Sequence, residues 1–423
     1  MHTQISACRI CGNKSLQPVL DLGTQALTGV FPRARDQVVE QGPLELVRCV
    51  GDNPDDFCGL VQLRHSYDGS DLYGMNYGYR SGLNASMVAH LRAKSETIKA
   101  RVALNAGDIS LDIGSNDGTF LGFMKAPGVE RVGMDPTAAK FRNYYDPEIS
   151  VVEDFFSADR FRSVFGSRKA KVVTSFSMFY DLEAPLDFMR QVAGILADDG
   201  IWVCEQSYLP AMLDTNSYDT VCHEHLEYYG LRQIQFMAER AGLKIVAVEF
   251  NDVNGGSFSF VAAKAGDLAD SSFETALAAE QAWRLGDEVS YAAFRQRIEA
   301  QRDALHSFFA RWNAEGRTVF GYGASTKGNV LLQYCGITEA QLPCIAEVNP
   351  DKFGSFTPGT LIPIVDEKTA RSWKPDGFMV LPWHFRSFIE AKETGFVGQG
   401  GSLIFPLPQL DIVSPAAGTA QNF

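Results

Sequence analysis

The chain lacks any apolar run of about 18 residues, so no transmembrane helix is expected along its 423 residues. It also lacks an excess of positive charge: 38 Lys and Arg stand against 51 Asp and Glu, a net charge of −13. So acidic a chain is a poor general ligand for nucleic acid or an anionic membrane, and neither is expected as a partner. The opening residues Met1-His2-Thr3-Gln4 lack the basic region and apolar stretch of a secretory signal, which makes the cytoplasm the expected location. Cysteine is too sparse, at eight residues, for a disulfide scaffold. What is present is ordinary for a globular protein, 45% apolar and 21% charged. The length exceeds what one hydrophobic core supports, so two or three domains are expected.

The cysteines are unevenly spread. Cys8, Cys11, Cys49 and Cys58 lie near the N-terminus, and the other four are scattered. Cys8-Arg9-Ile10-Cys11-Gly12 is a Cys-x-x-Cys followed by Gly, and Cys58-Gly59 repeats that ending. Glycine after the thiolate lets the backbone turn its N–H groups toward sulfur. Four thiolates match a closed, structural zinc site. The wider second pair, Cys49 and Cys58, encloses Asp52, Asp55 and Asp56, which reads as an exposed inserted loop. Two unrelated buried pairs, or a redox Cys-x-x-Cys, are the alternatives.

The middle of the chain alternates strand and helix, which implies a parallel sheet. Ile109-Ser110-Leu111-Asp112-Ile113 reads as a strand running into Gly114-Ser115-Asn116-Asp117-Gly118 and then a helix. Such a turn lets a ligand approach the backbone and meet a helix N-terminus. Arg131-Val132-Gly133-Met134-Asp135 ends a second strand in an acid suited to ribose hydroxyls. Residues 149–156 give a third strand ending near Asp154 and Phe155, Lys171 to Phe176 a fourth containing Ser175, and Gly200 to Glu205 a fifth. A dinucleotide-binding Rossmann domain competes, but its full glycine fingerprint is missing.

After the fifth strand, the run from Tyr218 to Tyr229 packs His223, Glu224 and His225 among further acids and tyrosines. Two His flanking a Glu can form a base with a partner that sets its tautomer. A satisfied polar network or a chelating His-x-His pair remain open. A zincin is excluded because Glu227 stands where the second His of that motif belongs. Upstream, Tyr73 to Asn84 is rich in Gly and Tyr, and includes Tyr77, Tyr79 and Arg80. It is either a linker with aromatic packing or an active-site lid.

Residues 267–312 read as a helical connector. Thr318-Val319-Phe320 then leads into Gly321-Tyr322-Gly323-Ala324-Ser325-Thr326-Lys327-Gly328 and a helix, a second strand, turn and helix. It is neither a Walker loop nor a complete dinucleotide fingerprint. Lys327 beside a helix N-terminus is either a phosphate contact or a solvated lysine. The strand ending at Glu347, Val348 and Asn349 and the run Met379 to Phe385 complete a second α/β unit.

The segment Leu111 to Gly118 resembles the glycine motif of class I S-adenosylmethionine-dependent methyltransferases. By that resemblance Asp112, Gly114, Asn116, Asp117 and Gly118 hold the methionine part, Asp135 the ribose, and Asp154 and Phe155 flank the adenine, with Ser175 nearby. Along nearly its full length the chain resembles the sugar C-methyltransferases of deoxysugar biosynthesis. The carrying segments are Cys8 to Cys11, Tyr77 to Gly82, Leu111 to Gly118, Tyr218 to His225 and Gly321 to Gly328.

The resemblance implies a zinc-binding domain over 1–70, a class I methyltransferase domain over 71–266, the connector over 267–312 and a Rossmann-like domain over 313–423. It implies S-adenosylmethionine and structural zinc as cofactors, and a nucleotide-linked 4-keto-6-deoxyhexose as substrate. It makes His225 the base and Glu224 the group that orients or polarises it. His223, Tyr77 and Tyr79 then contact the keto oxygen or sugar hydroxyls, as Arg80 and Tyr180 contact substrate. Lys327, Glu347 and Asn349 hold the nucleotide. The chain departs from some members in having Cys222 where they have Tyr, and Tyr180 where they have His. Methylation is expected at C3, with C5, or O- or N-methylation of another small molecule, as alternatives. A non-catalytic binding module is a third reading, against which Asp112, Gly114, Gly118 and Asp135 are all intact.

Overall fold

The computed structural model describes residues 2–53, 57–67, 80–264 and 269–415. The N-terminal part is built of antiparallel strands in which apolar residues face one side. β1 (His2–Gln4) pairs with β5 (His65–Tyr67), while β2 (Leu16–Ala26), β3 (Gln41–Cys49) and β4 (Val61–Leu63) form a sheet. Its fourth strand comes from far along the chain, and is described below.

The central sheet contains β6 (Ile109–Ile113), β7 (Glu130–Met134), β8 (Ser150–Val152), β9 (Ala170–Phe176) and β10 (Leu196–Ser207). Two residues, β11 (Glu227–Tyr228), leave this domain and pair antiparallel with β4, which extends the N-terminal sheet. β12 (Lys244–Asn251) and β13 (Ser257–Ala263) complete the order β12-β13-β10-β9-β6-β7-β8. β6 to β10 run parallel, and β13 runs antiparallel to both its neighbours. The sheet is buried on both faces, as its near-continuous apolar strands require. Val172, Ile201 and Val203 face the helix Ala85–Arg101, which buries Leu91, Lys94, Ser95 and Ile98 at helical spacing. Val173, Trp202 and Cys204 point the other way, against Phe161, Phe188, Met189, Ile234 and Met237.

The connector is two helices, Ser272–Glu280 and Glu288–Ala314, separated at Arg284, whose φ is +49°. The longer one buries Tyr291, Phe294, Ile298, Leu305, Phe308 and Trp312 in the core that also contains Val19 and Leu46 of the N-terminal sheet and Ile345 and Phe378 of the C-terminal one. That last sheet has β14 (Val319–Tyr322), β15 (Ile345–Glu347), β16 (Ile364–Asp366), β17 (Gly377–Val380), β18 (Ser402–Phe405) and β19 (Asp411–Val413). The order is β16-β15-β14-β17-β18-β19, parallel except for β19. Both α/β sheets therefore reverse direction beside their first strand, between β6 and β9 and between β14 and β17. Such reversals open a crevice at the carboxyl ends of the strands.

Candidate active site

The segment from Tyr208 to Tyr229 leaves β10 and returns to it, closed by a bridge between Tyr208 and Tyr229. Inside it, the His225 amide donates to the Cys222 carbonyl at 3.2 Å, making a tight turn. The next residue is gripped from both sides. The Leu226 amide donates to the Tyr180 carbonyl, and the Leu226 carbonyl accepts from the Leu63 amide, each at 2.8 Å. His225 is thus held between the turn after β9 and the N-terminal sheet.

The His225 ring lies 4.4 Å from the Tyr180 ring, centroid to centroid. Its Nδ1 is 2.8 Å from the Thr220 carbonyl. A carbonyl can only accept, so Nδ1 carries the proton and Nε2 presents a lone pair. Burial, reinforced by the charge of Lys327, pushes His225 down to about 4, leaving the ring neutral at ordinary pH. Orientation of the ring falls to Thr220 rather than to Glu224. Burial raises the Glu224 carboxyl, and the nearby Cys222 side chain opposes that rise. Cys222, where some members of the family that the chain resembles carry Tyr, is a buried thiol.

A cation from the C-terminal domain enters the same cluster. Lys327 lies in the first turn of the helix Thr326–Tyr334, whose N-cap is the Ser325 side chain. Its Nζ crosses to the central sheet's β12–β13 hairpin and donates to the Asn254 carbonyl at 2.8 Å. Burial lowers the Lys327 ammonium, and the Asp219 carboxylate opposes that. Asp219 is buried and accepts from Trp383 Nε1 at 2.8 Å, tying the crevice beside β17 to the histidine motif. Asn254 sits in the β12–β13 hairpin with φ +56°, a conformation costly for a side-chain-bearing residue. Its amide reaches Ser177 Oγ at 3.5 Å, at the end of β9. These contacts link the two crevices through His225, Lys327 and Asn254.

The turn after β6 has the form a methionine-type cofactor needs. Gly114 has φ +74°, and a Cβ there would lie 3.1 Å from Met178 Cγ. Asp135, at the end of β7, accepts from the Asn116 amide at 2.8 Å through Oδ2, and from Thr137 through Oδ1. Oδ2 keeps acceptor capacity for a ribose hydroxyl. Phe155 is an exposed ring at the end of β8, beside an exposed Asp154 that pairs with Arg160. Asn116 and Asp117 accept from the backbone amides of Ser81 and Gly82 at 3.0 and 2.9 Å, which docks the end of the Gly/Tyr segment onto the turn. Arg80 stacks over Tyr144 at 3.8 Å and lies the same distance from Asp117. Asp112 is buried under the turn, where it accepts from Thr174 Oγ1 at 2.7 Å. These groups fit the cofactor.

The N-terminal cluster fits zinc. The sulfurs of Cys8, Cys11, Cys49 and Cys58 all lie within 4.8 Å of one another, and Cys8–Cys58 and Cys11–Cys49 approach to 3.5 Å. Hydrogen bonds with neighbouring thiols, Cys11 foremost, together with burial raise the Cys58 thiol, so four thiolates coexist here only around a cation. Cys204, Cys222, Cys335 and Cys344 are dispersed and buried.

Other expected residues sit elsewhere. His223 is fully buried against the N-terminal sheet, donating through Nε2 to the Gly42 carbonyl at 3.3 Å and packing on Tyr67. It is not brought to His225 Nε2. Ser175 is fully buried, and its hydroxyl accepts from Trp202 Nε1 at 3.0 Å. Glu347 spends its carboxylate on the amides of Ala324, Val348 and Asn349, and Asn349 caps Asp351. Tyr77 and Tyr79 lie outside the described residues. Asp219, Asn254, Trp383 and His384 join the cluster without having been singled out. Of these, Asp219 lies inside the histidine motif and Asn254 precedes a Gly-Gly turn, and both carried a local signal.

Three family profiles match successive parts of the chain. Residues 8–73 match "Putative zinc binding domain", residues 87–248 "Methyltransferase domain" and residues 252–408 "C-methyltransferase C-terminal domain". The C-methyltransferase NovU of Streptomyces niveus is 30% identical over 417 residues, covering 97% of each chain. Among solved structures, the CcbJ methyltransferase of Streptomyces caelestis is 17% identical, with a TM-score of 0.33 over 42% of this chain and 95% of its own. The plantazolicin methyltransferase BpumL in complex with SAH is 11% identical, with a TM-score of 0.34 over 41% of this chain and 82% of its own. Among the described residues, no helix is long and apolar enough to cross a membrane. The chain belongs to the family of S-adenosylmethionine-dependent C-methyltransferases that join a zinc-binding domain, a methyltransferase domain and a dedicated C-terminal domain.

Proposed function

We propose that this C-methyltransferase acts on a nucleotide-linked 4-keto-6-deoxyhexose and places the methyl group on C3, next to the ketone. The observation that carries this reading is the His225 Nδ1 bond to the Thr220 carbonyl. It leaves Nε2 as a base in the segment that follows β10, at the carboxyl end of the sheet that carries the cofactor turn; carbon methylation needs such a base, and methylation of an already nucleophilic oxygen needs one far less.

The 4-keto group acidifies the C3 hydrogen. His225 Nε2 takes that proton, the C3–H pair becomes the C3–C4 double bond, and the carbonyl π pair moves onto O4. S-adenosylmethionine supplies an electrophilic methyl on a sulfonium. C3 donates its pair to that methyl, the carbonyl re-forms, and the sulfur keeps the pair of the broken bond. Tyr180 packs on the base and fixes its plane. Glu224 immediately precedes the base in the chain, and burial raises its carboxyl. The β14/β17 crevice takes the nucleotide. It opens toward His225 through Trp383 and Asp219.

The test is mass spectrometry of 4-keto-6-deoxy sugars linked to thymidine, guanosine, cytidine or uridine diphosphate, in ordinary and deuterated water. One member is expected to gain a carbon-bound methyl and, without cofactor, to exchange one hydrogen. His225→Ala is expected to keep cofactor binding and lose both reactions. Full turnover by that variant would remove His225 as base, and methylation on oxygen alone would overturn the reading.

A further inference from the structure

Lys327 belongs to the C-terminal domain by sequence, yet its ammonium ends among residues of the methyltransferase domain. An ammonium has three donors. In the described structure one is spent, on the Asn254 carbonyl, and no carboxylate lies within 4 Å of Nζ. The half-buried side chain therefore has two N–H groups without a partner among the described residues, in the cluster where Asn254 also reaches Ser177 Oγ at the end of β9, three residues before the Tyr180 that packs on His225. Its anchor lies in the turn of the β12–β13 hairpin, where Asn254 takes φ +56° and is followed by Gly255 and Gly256 at φ +92° and +119°.

The placement is chemically odd for a lysine that only joins two domains. A cation near a general base makes proton uptake harder, and Lys327 adds to the lowering that burial imposes on His225 and His384. Asp219 offsets the charge at rest, but its Oδ2 is engaged by Trp383 and its Oδ1 finds no partner among the described residues. The arrangement makes sense when a negative oxygen forms between the two nitrogens. Imidazolium, oxyanion and ammonium then alternate in sign, and the cation that opposed protonation of His225 favours the state in which the proton has moved.

We propose that Lys327 is a catalytic residue: its ammonium receives the negative charge that develops on the sugar O4 while His225 removes the C3 proton. This rests on the substrate reading above. It differs from a lysine that holds the diphosphate, because the charge served is one that appears only as the C–H bond breaks. No bond forms to Lys327. The electron pair on O4 returns to the carbonyl as C3 takes the methyl.

The experiment uses the full-length protein and whichever sugar nucleotide of the panel the wild type exchanges. Deuterium uptake at C3 is measured at saturating sugar nucleotide without cofactor, for wild type, Lys327→Met and Lys327→Arg. Calorimetry follows binding of the corresponding nucleoside diphosphate and of S-adenosylhomocysteine, the second showing that each variant is folded. Lys327→Met is expected to lose exchange by about 100- to 1,000-fold, the usual cost of removing one oxyanion donor. Nucleoside diphosphate affinity should stay within about twofold of wild type. Lys327→Arg should recover at least about tenfold of the loss, since it keeps a charged donor. Equal exchange in Lys327→Met and wild type would overturn the proposal. So would weakened nucleoside diphosphate binding with exchange intact at saturation, which would make Lys327 a phosphate contact. Should Lys327→Met fail to bind S-adenosylhomocysteine, Lys327→Arg decides alone: wild-type-like nucleoside diphosphate binding with exchange reduced supports the role, and unchanged exchange with weakened binding overturns it. If the wild type exchanges no member of the panel, the substrate reading falls, and this role with it, before any variant is compared.

Discussion

The Leu63 amide donates to the Leu226 carbonyl at 2.8 Å, so the cysteine domain directly holds the residue that follows His225. The same domain pairs β4 with β11 and takes the Gln233 side chain on the Cys58 carbonyl at 2.8 Å. The metal cluster is thus part of the framework that sets the position of the base, although nothing in the proposed reaction needs a metal. Elemental analysis is expected to find one zinc per chain. Stripping it with a chelator, or substituting Cys58→Ser, should lower the melting temperature and reduce turnover together. A loss of about 10- to 100-fold would match the usual cost of disturbing the support of a metal-held site. Metal-free protein with full turnover would show that the N-terminal sheet holds Leu226 without its zinc.

The depressed His225 predicts an unusual pH profile. Tyr180 packs on the ring, the Thr220 carbonyl holds its Nδ1, and burial is the largest influence on its protonation, with the charge of Lys327 adding to the depression. The base form is neutral, so C3 exchange should persist as pH falls through 6.5 and fail only as it approaches about 4. The lost limb is on the acid side, because the protonated ring has no lone pair. Lys327→Met should move that limb upward, whatever its effect on the maximal rate. Exchange rates in deuterated buffers from about pH 4 to about pH 8 would show both. An acid limb at the unperturbed histidine value would mean that the ring is solvated when substrate is bound.

What the sequence disclosed was mostly local. The Cys-x-x-Cys with its glycine, the strand and turn from Ile109 to Gly118, and the acid of Asp135 each follow from short-range geometry, and each sits where the spacing implied. The β12–β13 hairpin also had a local signal, Asn254-Gly255-Gly256 between apolar runs, which the sequence reading passed over. Other features had none. β11 is two residues long, and its pairing with β4 joins positions far apart in the chain. The partner of His225 Nδ1 is a backbone carbonyl, which no side-chain pattern can reveal. His223 and His225 look equivalent in the motif, and an extended segment would put positions two apart on one face, but the turn closed by the His225 amide on the Cys222 carbonyl separates them and only His223 packs on the N-terminal sheet. Lys327 was visible as a lysine at a helix N-terminus, while its destination depended on how two domains pack.

Asp112 allows the strain under the cofactor turn to be measured. Burial, with the nearby Asp135 charge adding a smaller push, drives its carboxyl up to about 7, against the Thr174 hydrogen bond. A folded-state value above the unfolded one means that the native protein holds this proton more tightly. As pH rises from about 4 toward 7, the unfolded chain therefore gains stability relative to the folded one. The full shift corresponds to roughly 4 kcal/mol above pH 7, an upper figure because the interior relaxes around a buried charge. Asp112→Asn keeps an oxygen that can accept from Thr174 and removes the charge. In the absence of cofactor, its melting temperature should match wild type near pH 4 and exceed it at pH 8. Thermal melts at the two pH values make the comparison. Equal destabilisation of the variant at both would mean that the second Asp112 oxygen is satisfied as a carboxylate and that this position stores no penalty.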